Sequence, residues 1–338
     1  MILVTGGTGL VGSHLLYDLL LQGHQVKALV RSTANKQNIL SVFRFYTNTP
    51  EHLYNKIQWV EGDVTDIYSL SEAFDQVDYV YHTAACVSFN PKDKRKIYET
   101  NQYGTANIVN LCLEKSVKKL CFVSSIASLG ITDDGSPIHE NVLWKPTKNS
   151  SDYSVSKFKS EMEVWRGIAE GLTAVIVNPS VILGPGNWNS GSSSFFPTIA
   201  RGFKYYTNGT NGYVDVRDVS KSMITLMESE ISGERFLITS SNLSYKELFT
   251  NIAEALGVTP PQIYAHPKLS SLACKLETIR AKLFFSQPKI TKNTVRSSHK
   301  KLLYSNQKIL TATGIEFRSI ESSIKEIAAI YRKDFNGK

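Results

Sequence analysis

No apolar run in this 338-residue chain approaches the roughly 18 residues that a membrane span needs; the longest candidates, LLYDLLL and LTAVIV, stop well short. The first residues, MILVTG, read as an apolar strand and lack the charged and cleavable parts of a signal peptide. Cys86, Cys112, Cys121 and Cys274 show no CxxC or CxxH spacing, so neither a zinc site nor a redox pair is spelled out, and no metal is expected. These absences predict reduced thiols, a cytoplasmic location and no membrane partner. Acid is missing from one place in particular. Between Asp18 and Glu51 there is no Asp or Glu, whereas Lys27, Arg31, Lys36 and Arg44 all fall in that stretch.

A hydrophobic content of 42% with 20% charged residues excludes a disordered chain and describes a folded globular protein. Its length suits a core domain with a smaller second lobe. The net charge of +8 would suit nucleic acid or an anionic membrane, and much of it lies in PKITKNTVRSSHKK, residues 288–301, with Lys308 beyond. A solvated face, a lid over an anionic ligand and a polyanion site all remain open for that run. No aromatic interleaving or nucleic-acid motif accompanies it, so no nucleic acid is expected as a partner.

Short strand-like runs alternate with helical stretches through the first two thirds. ILVT, QVKALV, IQWVE, DYVYHT, KLCFVS and LTAVIVN read as strands, with helices such as GSHLLYDLLLQ and YGTANIVNLCLEK between them. This alternation predicts an α/β fold with a doubly wound parallel sheet, and the near-continuous apolar strands fit burial on both faces. After residue 180 the rhythm breaks at GPGNWNSGSSS; YVDV, a helix from about Ser220, and RFLI then read as a return to the sheet. From about residue 241 the chain reads as helical and basic. The predicted organisation is a dinucleotide-binding domain from 1–180 and 205–240, with a mostly helical substrate lobe from 181–204 and 241–338.

ILVTGGTGLVGSHLL places Gly6, Gly9 and Gly12 between the first strand and the first helix. Glycines make such a turn tight and let its backbone approach a pyrophosphate, while the helix N-terminus offers unpaired N–H groups. The second strand ends at Arg31, 19 residues beyond Gly12. An NAD enzyme usually carries Asp or Glu about there for the ribose hydroxyls, and an arginine accommodates a 2′-phosphate; NADP(H) is favoured, with NAD(H) as the alternative. Asp63 follows the third strand, Ala84 and Ala85 follow the fourth, and Ser124 and Ser125 end the fifth. All lie at the carboxyl edge where open parallel sheets bind ligands, so both serine hydroxyls are expected to face one crevice. YSVSK follows, with Tyr153 and Lys157 one helical turn apart on the same face. A lysine beside a phenol lowers its pKa and makes it a usable general acid near neutral pH.

The run TGGTGLVG, GDVTD, HTAA, NQYGT, VSSIASLG, YSVSK, NPSVILGP and YVDVRDV, in that order, resembles the extended short-chain dehydrogenase/reductases over most of the chain. That family has a Rossmann fold. The resemblance implies a catalytic set of Ser125, Tyr153 and Lys157, with Ser125 preferred to Ser124 by its spacing to Gly130, and Asn101 supporting the lysine. It implies cofactor contacts from Thr8, Leu10 and Val11 beside the glycines, and from Arg31, Asp63, Val64, Ala84, Ala85, Pro179 and Val181. Ser125 would hold a carbonyl oxygen, Tyr153 would give it a proton, and Lys157 would bind the nicotinamide ribose.

Three features lean towards reduction of a small-molecule aldehyde or ketone, in the manner of dihydroflavonol and cinnamoyl-CoA reductases. They are Arg31 in its acid-free surroundings, the wording of YSVSKFKSEMEVW with VIVNPSVILGPG, and Asn211 where sugar-nucleotide enzymes commonly carry a diphosphate-clamping arginine. The alternatives are a nucleotide-sugar epimerase or dehydratase with tightly bound NAD, and a catalytically silent cofactor-binding regulator. Cys86, Phe89, Trp188, Phe195 and Phe196 are candidates for the pocket wall. A homodimer through the YGTANIVNLCLEK and YSVSKFKSEMEVW helices is also implied by the resemblance.

Overall fold

The computed structural model describes residues 1–283 and 291–336. In chain order its strands are β1 (Ile2–Thr5), β2 (Val26–Val30), β3 (Gln58–Glu61), β4 (Tyr79–His82), β5 (Lys119–Val123), β6 (Ala174–Pro179), β7 (Val181–Leu183), β8 (Tyr205–Tyr206), β9 (Thr210–Asp215), β10 (Glu234–Ile238), β11 (Ser241–Ser244) and β12 (Ile263–Tyr264). Seven of them form one parallel sheet in the order β10-β6-β5-β4-β1-β2-β3. The order reverses beside β1, which pairs with β2 on one side and β4 on the other. This is the switch point at which doubly wound sheets open a crevice.

Side chains alternate across the sheet. Ile2 and Val4 of β1 pack into the core below the Leu10–Leu21 and Val216–Glu228 helices, with Leu15, Leu16, Val219 and Met223. Leu3 points the other way, to Ile108, Val109 and Val164 of the Gly104–Glu114 and Asp152–Ala169 helices. All six strands expected before residue 180 are in this sheet, as is RFLI.

YVDV is not. It belongs to β9, in a separate three-stranded sheet of order β11-β9-β7. The chain leaves the main sheet after Pro179, and β7 then pairs with β9 through Val181–Tyr213, Ile182–Val214 and Leu183–Asp215. Gly212 lets β9 run close to the end of β10, since a Cβ there would lie 2.7 Å from Thr239 Oγ1. The small sheet carries the second core, where Leu183 and Tyr213 meet Phe196, Leu248, Ile252, Ile320 and Ile324. Beyond residue 241 the chain is mostly helical, as expected, but β11 and β12 interrupt it. Among the described residues no helix is long and apolar enough to cross a membrane.

Candidate active site

A cleft of ≈ 2380 Å³ runs along the carboxyl ends of β1, β4, β5 and β6 and continues beneath the helices of the second core. It is several times the size of a single drug-sized pocket, enough for an extended ligand and a second molecule.

At its β1 end lies the glycine turn. Gly6 has φ of +73°, and a Cβ on it would meet Ala84 N at 2.6 Å. A Cβ on Gly12 would lie 2.3 Å from the Gly6 carbonyl oxygen. The turn is therefore as tight as its sequence implied, and only glycine fits. The Leu10–Leu21 helix starts directly from it, with Gly9 as N-cap and no side-chain cap, so its first N–H groups face the cleft. Gly6, Thr8, Gly9, Leu10, Val11 and Gly12 all line this end. A backbone cradle without side chains, at the N-terminus of a helix, fits a pyrophosphate.

Tyr153 and Lys157 sit in the first turns of the Asp152–Ala169 helix, which Ser151 caps by accepting from Ser154 N at 3.1 Å. Ser125 caps the short turn after β5, accepting from Ala127 N at 3.1 Å. All three line the cleft. Burial raises the Tyr153 phenol above its ordinary value, and a hydrogen bond with the Ser125 side chain opposes that rise. This corrects the sequence expectation of a phenol lowered by lysine: here the lysine is directed elsewhere. Lys157 Nζ donates to Val123 O at 2.7 Å and lies 4.6 Å from the Phe122 ring centroid. Burial lowers the lysine to about 7, partly offset by Glu161. Phe122 in turn stacks on His82, a buried imidazole lowered to about 3 by desolvation and by Lys157. Neutral His82 bridges Thr5 Oγ1 at 2.7 Å and Thr105 Oγ1 at 3.0 Å.

Ala85, Pro179 and Val181 also line the cleft, as expected. Other expected contacts stand off its wall. Asp63 spends Oδ1 on Thr65 N and Oγ1, at 2.9 and 2.8 Å, closing its own turn. Val64 is buried against Gly104, and Ala84 packs on Gly6. Arg31 is exposed past the end of β2, and its charge reaches Cys86. Asn101 is buried in a π-helical turn. It accepts from Cys86 N at 2.7 Å and donates to Cys86 O at 3.0 Å and to Ser156 Oγ at 2.9 Å, tying the loop after β4 to the residue before the lysine.

Ser124 borders the cleft beside Ser125, but its hydroxyl, expected to face the crevice, turns into the protein and donates to Glu161 Oε2 at 2.6 Å. Ser128 Oγ donates to the same oxygen at 2.7 Å and Asn178 Nδ2 at 2.9 Å, while Arg235 Nη1 pairs with Oε1 at 2.8 Å. Glu161 is fully buried and one turn beyond Lys157. The sequence reading missed this network. Its one local signal is the helical spacing of Tyr153, Lys157 and Glu161; Arg235 comes from β10, far along the chain.

The opposite wall is largely aromatic. Phe89 lies edge-on to Tyr153 at 5.7 Å, and Trp188 and Phe195 reach the cleft as expected. Phe196 is fully buried in the second core and Cys86 stands behind the wall, so neither lines it. Asn211 does, and Tyr245, Phe203, Tyr205 and Tyr304 add aromatic surface that sequence alone did not single out. Of the basic run 288–301, residues 288–290 lie outside the described residues; Arg296 reaches Asn149 O at 3.1 Å, and Lys300 borders the cleft.

A doubly wound sheet with a glycine turn at its switch point is the architecture of a dinucleotide-binding protein. A sequence model of the NAD dependent epimerase/dehydratase family matches residues 2–239, and the chain belongs to that family. It is 28% identical over 333 residues to a provisional dihydroflavonol 4-reductase of Synechocystis sp., covering 96% of this chain and 92% of that protein. It is 30% identical over 262 residues to tetraketide alpha-pyrone reductase 2 of Arabidopsis thaliana, covering 73% and 79%. The solved structure of gox2253 superposes with a TM-score of 0.81 at 27% identity, covering 99% of this chain and 98% of that one. The protein is thus an enzyme of the extended short-chain dehydrogenase/reductase type, and its cofactor is a nicotinamide dinucleotide.

Proposed function

We propose that the protein reduces the carbonyl group of an aldehyde or ketone, with NADPH preferred to NADH. The observation that carries this reading is that Ser125, Tyr153 and Lys157 together line one cleft whose wall also carries Phe89, Trp188, Phe195, Phe203, Tyr205 and Tyr304. A carbonyl oxygen held by the Ser125 hydroxyl lies within reach of the Tyr153 proton, and the aromatic wall suits an apolar carbonyl compound. When bound, the nicotinamide supplies the hydride that the carbonyl carbon accepts. Tyr153 delivers the proton to the oxygen. Lys157 Nζ donates to Val123 O, and an ammonium has further N–H donors for ribose hydroxyls.

Asn211 on the cleft wall supports a reductase over a nucleotide-sugar enzyme, because an amide is a poor substitute for a guanidinium as a diphosphate partner. The names of the relatives above, both reductases, point the same way. The test is a panel of aldehydes, ketones and nucleotide sugars, run with NADPH and NADH and followed by absorbance. Oxidation of NADPH by apolar carbonyls is the expected result. Turnover of a nucleotide sugar without net change in the cofactor would replace this reading with an epimerase.

A further inference from the structure

The cleft opens under the second core beside a cluster of exposed apolar side chains. In the Pro267–Leu283 helix, Leu269, Leu272 and Leu276 recur at three- and four-residue spacing along one side and are 43%, 53% and 60% exposed. Ile263 and Tyr264 of β12 and Tyr205 of β8, which pair in a separate two-stranded sheet, are exposed as well. Leu269, Ser270 and Ala273 of the same helix line the cleft, so the apolar patch and the cavity mouth share one element.

The stretch of sequence that contains this helix is one-sided in charge. Residues 255–315 hold ten of the chain's 38 basic side chains and one of its 30 acidic ones, Glu277. Glu277 is taken by Arg280, both of its oxygens accepting at 2.8 Å. The rest of the chain carries 28 basic and 29 acidic side chains, so the net charge of +8 comes from this stretch of sequence, of whose cations Lys308 is paired with Glu234. Lys268 and Lys275 flank Leu272 on the open surface.

We propose that this face docks on an anionic lipid bilayer, with Leu272 and Leu276 entering the interface and the surrounding lysines meeting lipid phosphates, so that an apolar substrate enters the cleft past Leu269 and Ala273. Apolar side chains beside cations, with almost no acid, are what an anionic membrane surface binds. A nucleic acid would meet the charge and leave the leucines in water. A second copy of this chain would set the same cations against each other. The docking revises the expectation of no membrane partner, which weighed spanning segments. Only the entry of substrate rests on the reductase reading; the docking does not.

The test is flotation of the full-length protein with vesicles of phosphatidylcholine alone or mixed with phosphatidylglycerol, without substrate. The protein should float with the mixed vesicles, stay behind with the neutral ones, and be released by about 0.5 M salt, where screening is nearly complete. L272E/L276E and K268E/K275E should each lower the bound fraction at least about tenfold. Both variants should melt at the wild-type temperature and bind nicotinamide dinucleotide as the wild type does, which shows that they fold. A wild type that never floats, binding equal on neutral vesicles, or variants that float unchanged would each overturn the proposal. So would a leucine variant that alters the sedimentation of a protein that binds no vesicles, which would make this a self-association face.

Discussion

Lys157 Nζ donates to the Val123 carbonyl oxygen at 2.7 Å, which anchors a buried ammonium to the end of the strand that leads into Ser125. Burial holds this lysine at about 7. In the unfolded chain it keeps its proton to about pH 10.4. Between those values the unfolded state binds more protons, so stability rises with pH; below about 7 the penalty for the buried charge is complete. Lys157→Met should therefore raise the melting temperature of the cofactor-free protein at pH 6, with the gain fading as pH approaches 10, while turnover is lost. Thermal unfolding at both pH values checks this. Equal destabilisation at both would show that the charge is not what burial penalises.

Tyr153→Phe removes the phenol hydroxyl, the proposed proton donor, and keeps the ring that packs on Phe89. Turnover should fall by about 10²–10⁴-fold with cofactor affinity little changed. Ser125→Ala should act in the same direction. Steady-state rates beside fluorescence titration of the cofactor separate the two quantities, and a Tyr153→Phe enzyme of near-normal rate takes the phenol out of the mechanism.

Arg31 follows the last residue of β2, the strand next to the glycine turn, and is exposed there. If it meets a 2′-phosphate, NADPH should bind about tenfold or more tightly than NADH, since charge-assisted hydrogen bonds contribute roughly 1.5–3 kcal/mol. Arg31→Asp should reverse the order, and added salt should weaken NADPH more than NADH. Equal dissociation constants for the two would end the NADPH assignment.

Glu161 and Arg235 form an ion pair in which the carboxylate is fully buried. Removing one partner of a buried pair costs about 3–5 kcal/mol, because the other charge is left behind. Glu161→Ala should lower stability by about that much, measured by urea unfolding. It should also slow turnover, because Ser124 and Ser128, which flank the Ser125 loop, lose their common acceptor. A stable variant of normal rate would reduce the network to packing.

The Gly104–Glu114 and Asp152–Ala169 helices are joined by Arg166 donating to Asn110 at 2.8 Å, and exposed Tyr103 and Met162 lie on this outer side. Burial of that side against a second copy would make a homodimer. Sedimentation at micromolar concentration should give the dimer mass, and Tyr103→Glu with Met162→Glu should give the monomer. A wild type that sediments only as a monomer rejects it.

The parts of this protein that were legible in its sequence depend on residues close together along the chain. Strand–helix alternation is enough to imply the parallel sheet, because apolar runs of that length bury on both faces. The glycine turn is legible because its geometry admits no side chain at Gly6 or Gly12. Tyr153 and Lys157 share a helix face by spacing alone.

What tertiary structure decided is where polar groups spend their hydrogen bonds. Ser124 and Ser125 are chemically alike, but the alternation of extended chain turns one to Glu161 and leaves the other to Tyr153. Asn101 holds Cys86 and Ser156, the residue before the lysine, and Asp63 closes its own turn. The acidity of Tyr153 is set by burial, which no local pattern encodes, while its lysine neighbour reaches Val123 O instead. β9 leaves the main sheet although YVDV has ordinary strand character, because its partners β7 and β11 come from separate stretches of chain. Local sequence sets which conformations and which chemical groups are available. Desolvation and the choice among equivalent partners arise only when distant segments pack, and those two effects set the charge and reach of each group in the cleft.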